Sequence, residues 1–136
     1  HVPTPDDEAF LTDFWGLVSQ NIPQWPELER KEISKIDLRE KYIATQAVVI
    51  LALGRIGAQL YRNREHDPAA VLPKLGDVNW RRNAPEWKLR AIGPTGRMIT
   101  GDHAVKMIGN HLKTILELPL SEDERRLEEK LLKAKR

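Results

Sequence analysis

The chain has 136 residues, with 22 Lys and Arg against 20 Asp and Glu, four His, nine Pro and no Cys. A chain of this length buries roughly two thirds of its unfolded surface, so one domain with an ordinary core is expected without disulfide or structural metal. The missing cysteines exclude thiol nucleophiles, Cys-based zinc sites and a disulfide framework, and a net charge of +2 is too small to argue for nucleic acid by itself.

Divided along the chain, the charge is far from even. Residues 1–32 hold seven carboxylates against two cations, whereas residues 33–64 hold six cations against two carboxylates and residues 65–100 six against four. An acidic beginning therefore precedes a basic middle, an asymmetry that says more about partners than the total does. The N-terminus, His1-Val2-Pro3-Thr4-Pro5-Asp6, has neither the basic start nor the apolar run of a signal peptide. A start at His1 without Met is read as the C-terminal part of a longer protein. The longest apolar run, Ala47 to Leu53, falls well short of the roughly 20 residues of a membrane span. A soluble, cytoplasmic protein is expected.

After the Pro3 and Pro5 lead-in, Asp6 or Asp7 caps a first helix with Phe10, Leu11 or Phe14, and Leu17 or Val18 at helical spacing. Asn21-Ile22-Pro23-Gln24-Trp25-Pro26 then reads as a stiff loop anchored by its Trp. Ser34-Lys35-Ile36-Asp37 resembles a capping box and opens a proline-free stretch to Arg62, predicted as one long central helix over about 37–62. Its middle, Ala47 to Leu53, is apolar on every side and is placed among neighbours all round. A buried strand is the alternative there, since Val-Val-Ile favours β structure. Gly54 and Gly57 share one face of the helix, where another backbone could approach closely. Gly-Arg-Ile-Gly lacks the context of a phosphate-binding loop.

Asp67-Pro68 starts a short helix and Gly76 stops it. Trp87 to Ile99, turning at Gly93-Pro94-Thr95-Gly96, reads as one small β-hairpin, about 87–99. Asp102 caps a helix with the stripe Val105, Ile108, Leu112 and Ile115, ended by Pro119. Ser121-Glu122-Asp123-Glu124 caps a final, highly charged and peripheral helix, 121–136, whose acidic start and basic tail (Lys130, Lys133, Lys135, Arg136) suit the helix dipole. Leu127 and Leu131 give it one narrow apolar edge that needs a partner in this chain or another. The fold class is mainly α, a compact helical domain around the long central helix.

No catalytic set emerges. Ser34 and Ser121 are explained as caps, and Ser19 has no nucleophile-elbow context. His103 and His111 lie two helical turns apart, too far to grip one metal as an i, i+4 pair. No enzyme activity, metal or cofactor is expected. The informative stretch is Trp80-Arg81-Arg82-Asn83 through Trp87-Lys88-Leu89-Arg90, continued by Arg97 across the turn. Arg81, Arg82, Lys88, Arg90 and Arg97 can neutralise phosphates, Asn83 can reach a phosphate or base edge, and an exposed Trp can stack. On the residues alone the structural reading stands ahead, with both indoles in the core and the arginines paired to Asp77, Glu86 or the acidic first helix.

The order of these residues carries a resemblance. Phe14-Trp15, Trp25, Asp37-Leu38-Arg39, Tyr42-Ile43 and Leu53-Gly54-Arg55-Ile56-Gly57 are followed by Asn79 to Asn83, Trp87, Arg90-Ala91 and Gly96-Arg97. Val105-Lys106, Asn110, Leu112-Lys113, Leu118-Pro119-Leu120 and Glu124 complete the series. Together they resemble the C-terminal portion of the DGQHR-domain family, typified by the DNA sulfur modification protein DndB. The Asp-Gly-Gln-His-Arg signature itself is not in this chain. The resemblance implies DNA binding and transcriptional control of a gene cluster for phosphorothioate modification, rather than the sulfur chemistry. The competing expectation is a non-catalytic interaction or homo-oligomerisation module.

Overall fold

The structure, a computed structural model, describes residues 4–135; Pro3 of the lead-in and Arg136 of the basic tail lie outside them. Helix α1 (Pro5–Asn21) is capped by Thr4, two residues before the first expected cap, Asp6. Thr4 Oγ1 accepts from the Asp7 amide at 3.1 Å and the Asp7 carboxylate accepts from the Thr4 amide at 2.9 Å. Pro5 takes the first helical position, where its missing N–H costs nothing. The segment expected as a loop is instead helix α2 (Gln24–Glu29), because Pro23 is the N-cap and Pro26 sits in the first turn, where proline is tolerated. Trp25 remains the anchor: its indole N–H donates to the Ala44 carbonyl at 2.9 Å.

The long central helix is two helices, α3 (Lys35–Lys41) and α4 (Ala47–Arg62). Between them Tyr42 and Ile43 are extended and pair with Trp80 and Arg81. Ile43 N–H donates to the Trp80 carbonyl at 2.9 Å and Arg82 N–H to the Lys41 carbonyl at 2.7 Å. No proline forces this break. Buried Ile43 and Ala44, the Trp25 bond and the pairing to residues 80–82 outweigh the weak helix preference of Tyr42, Ile43 and Thr45.

The core is built on α4 and α6 (Asp102–Ile115), the most extensive helix pair. Val49, Ala52, Leu53 and Ile56 meet Val105, Ile108 and Leu112 there, all buried. Gly109 faces Ala52 across this crossing, where a Cβ would make ordinary contact with the Ala52 Cβ at 4.0 Å. The expected cap Asp102 is the first residue of α6, and Gly101, at φ +98°, is its N-cap. Contrary to expectation α4 is not covered on every side, since Ile50 and Leu51 are 40% and 58% exposed. Helix α5 (Pro68–Val71), capped by Asp67, runs into a 3₁₀ turn, Leu72–Asp77, that packs on α1.

No strand forms among the described residues, so the expected hairpin is corrected. The turn at 93–96 is present, with Gly93 N–H donating to the Arg97 carbonyl at 2.8 Å, but only the single antiparallel bridge Ile92–Met98 follows. The reason is that Pro85–Trp87 is a 3₁₀ turn, after which the Trp87 carbonyl accepts from the amides of Arg90, Ala91 and Ile92. The chain coils there instead of extending, with Leu89 at φ +64°. Helix α7 (Glu122–Lys135) follows, opened by a capping box between Ser121 and Glu124. It lies against α6 and buries Leu131.

Candidate nucleic-acid interface

Trp80 fixes this site. It is 3% exposed, stacks on fully buried Trp87 at 6.2 Å between ring centroids, and donates from its indole to the Leu75 carbonyl. Trp87 donates to the Asn79 carbonyl at 2.6 Å. Both indoles are therefore core anchors, and neither offers a face to a base. In extended backbone successive side chains point to opposite sides, so sinking Trp80 into the core turns Arg81 outward. The Asn79 side chain accepts from the Arg81 amide at 3.1 Å and tightens the turn that follows.

The outward residues line a groove of about 370 Å³ between the end of α3 and the 93–97 turn. Lys41, Arg81, Arg82 and Asn83 contribute polar groups, Ile92 an apolar wall, and Glu40 the one carboxylate. Arg81 lies over the Tyr42 ring, 5.5 Å from its centroid, a cation–π contact that orients the guanidinium and leaves its N–H groups usable. Arg82 spans the groove, donating to the Arg39 carbonyl at 3.3 Å and the Gly96 carbonyl at 3.2 Å. Arg97 is exposed on the turn beside Gly96. Among the described residues no carboxylate stands within ion-pairing distance of Lys41, Arg81, Arg82, Lys88 or Arg97. The arginine pairs to Asp77, Glu86 or the first helix that the structural reading needed are not made.

Two of the sequence candidates stand apart. Lys88 is exposed, but it does not line the groove. Arg90 is 7% exposed and fully engaged. Its guanidinium grips the Glu128 carboxylate with bonds of 2.7 and 2.9 Å, and donates to the Met107 carbonyl at 2.6 Å. It ties the 85–91 turn to α6 and α7 and cannot reach a phosphate. Asn110, wholly buried, donates to the same carboxylate and to the Glu124 carbonyl. Lys113 and Glu124 add a 2.6 Å ion pair beside them. His111 presses edge-on against Trp87 at 4.8 Å. Burial first, and then the Arg90 charge, bring its pKa down to about 4.

Lys41 was not among the sequence candidates. The signal was present in Arg39-Glu40-Lys41, but it was absorbed into an unbroken helix; only the break at Tyr42 brings Lys41 beside Arg81.

A family model described as DndB, DNA-sulfur modification-associated, matches residues 4–119. The chain belongs to the DndB family. This agrees with the resemblance carried by the order of its motifs. No curated protein and no solved structure matches the chain. The DndB match takes in α1 to α6 and every cation of the groove, and stops before α7. Among the described residues no three His, Asp or Glu side chains converge as metal ligands, and no helix is long and apolar enough to cross a membrane.

Proposed function

We propose that this DndB-family chain binds the DNA backbone through the groove between α3 and the 93–97 turn. It serves there as a transcriptional regulator of the genes for phosphorothioate modification, without performing the sulfur chemistry, and works in the cytoplasm with the DNA. One observation carries this: Lys41, Arg81 and Arg82 line one groove, Arg97 follows Gly96 at its edge, and among the described residues no carboxylate is ion-paired to any of the four. Unpaired cations at a surface are matched by phosphates, whose counterions they release. The Tyr42 ring beneath Arg81 and the two carbonyls held by Arg82 fix the donors before DNA arrives, so binding costs little side-chain entropy. Such contacts position a protein on the duplex without reading sequence. Asn83, exposed at the groove, is the group suited to a base edge.

The test is fluorescence anisotropy with a duplex from upstream of the modification genes and an unrelated duplex, titrated across salt. Arg81→Ala with Arg82→Ala is expected to weaken binding to both and to reduce the log–log salt slope by roughly 0.9 for each phosphate no longer neutralised. Asn83→Ala is expected to narrow the difference between the duplexes. An unchanged slope in the double variant overturns the assignment.

A further inference from the structure

A second surface, distant in character from the basic groove, is apolar. A groove of about 360 Å³ runs between α1 and α4, with Gly54, Gly57 and Ala58 along its α4 side and Phe10 and Leu11 along α1. The two glycines behave differently. A Cβ on Gly57 would run into the Phe14 ring at 2.9 Å, so that place is filled from within the fold. A Cβ on Gly54 would meet nothing within 4 Å. Around this open place stand Leu11 and Leu51, 51% and 58% exposed, Leu51 one turn before Gly54 on α4. The apolar edge expected to seek a partner was that of α7, but Leu131 and part of Leu127 are spent against α6. Leu11 and Leu51 instead flank a groove whose apolar floor is open.

We infer that the α1–α4 groove is the contact through which a second copy of this chain binds, about a two-fold axis. Two complementarities single out this occupant. The surface carries both protruding leucines and an open floor, so the leucines of each copy can enter the floor of the other, as an isologous contact requires. Its charges also match. Helix α1 carries only acidic ionisable residues (Asp6, Asp7, Glu8 and Asp13), and α4 carries only the cations Arg55 and Arg62 besides Tyr61. Arg55 is spent on Asp102 at 2.5 Å and Asp7 on the Tyr61 hydroxyl, which leaves Glu8 on the α1 side and Arg62 on the α4 side, and a two-fold axis running along the groove lays each of these against its opposite. Glu8 and Arg62, both exposed, have no ion-pair partner among the described residues and are the pair left for the neighbour.

Sedimentation equilibrium of the chain over a range of concentrations tests this. A dimer is expected, twice the 15.6 kDa of one chain. Leu51→Glu alters an exposed position and Gly54→Leu a half-buried one whose Cβ meets nothing within 4 Å, so helical circular dichroism should hold while the dimer Kd rises at least about tenfold. Glu8→Arg and Arg62→Glu should each weaken the dimer, and the two together should restore it. The inference falls if the chain is monomeric at tens of micromolar. It falls equally if both single-site variants dimerise like the parent, or if the double charge swap restores nothing.

Discussion

Removing the side chain of Arg90 would leave the Glu128 carboxylate without its cation in a site only 22% exposed, and would take from the Met107 carbonyl the donor it gains from outside the helix. Breaking a buried pair in this way typically costs about 3–5 kcal/mol. Arg90→Ala should therefore lower the unfolding free energy read from urea melts by that order, whereas Arg97→Ala, exposed on its turn, should shift it by less than about 0.5 kcal/mol. The two arginines are seven residues apart in the same basic run. Nothing in their identity distinguishes them, and the position of Glu128, 38 residues further on, decides. His111 gives a second prediction. Its folded pKa of about 4 lies below the 6.5 of an exposed imidazole. Between those values the unfolded chain binds a proton that the folded chain refuses, so stability is complete above pH 6.5 and drains away as pH falls toward 4. Thermal melts at pH 7, 6 and 5 should show this loss. His111→Phe keeps an aromatic edge against Trp87 and removes the buried Nε2, which has no hydrogen-bond partner. The variant should flatten the pH dependence, and a slope unchanged from the parent would assign it to other groups.

At the scale of elements, two helices end in the same six-residue closure. After α2, Lys31 at φ +60° lets its amide reach the Leu28 carbonyl and lets Glu32 reach Glu27. After α6, Glu117 at φ +59° does the same with Thr114, while Leu118 reaches Lys113. These are Schellman closures, which prefer glycine at the left-handed position. Lys31 is exposed, so Lys31→Gly should stabilise the chain by up to about 1 kcal/mol, read from the denaturant midpoint. Neither closure is legible in the sequence, because the residue that signals one is absent from both. The caps at Ser34, Asp67 and Ser121 were legible, since short polar side chains at helix starts act locally. The break at Tyr42 and the coiled 87–92 segment were not, since both are set by partners far along the chain. The candidate site follows the same division. Arg81, Arg82, Asn83 and Arg97 could be read as a basic run, but Lys41 joins them only through the pairing of Tyr42 with Arg81.

Across the whole molecule, the segregation of charge acquires a spatial meaning. Four of the seven carboxylates of the beginning lie on α1, whose inner edge borders the apolar groove, while Lys41, Arg81 and Arg82 of the middle gather at the α3 end. A molecule built this way should meet DNA from one side only. Lys130→Ala with Lys133→Ala removes the same charge as Arg81→Ala with Arg82→Ala, but from the exposed side of α7. The α7 variant should leave the salt slope of DNA binding within about 0.3 of the parent, while the groove variant lowers it. Equal losses would mean that the field of the whole chain, and not the groove, attracts DNA. Two copies joined through α1 and α4 would each keep their own basic groove, so DNA long enough to touch both should be held more tightly than a short duplex.

The four tryptophans form two stacked pairs, Trp80 with Trp87 in the core and half-buried Trp15 with Trp25 at 6.4 Å. Their ultraviolet emission thus reports on different events. The inner pair is buried next to the arginines of the basic groove, so on the proposed reading its fluorescence should stay unquenched when DNA is added and change only when the chain unfolds. A dye-free optical record of folding is thereby built in next to the groove, insensitive to occupancy of the groove itself.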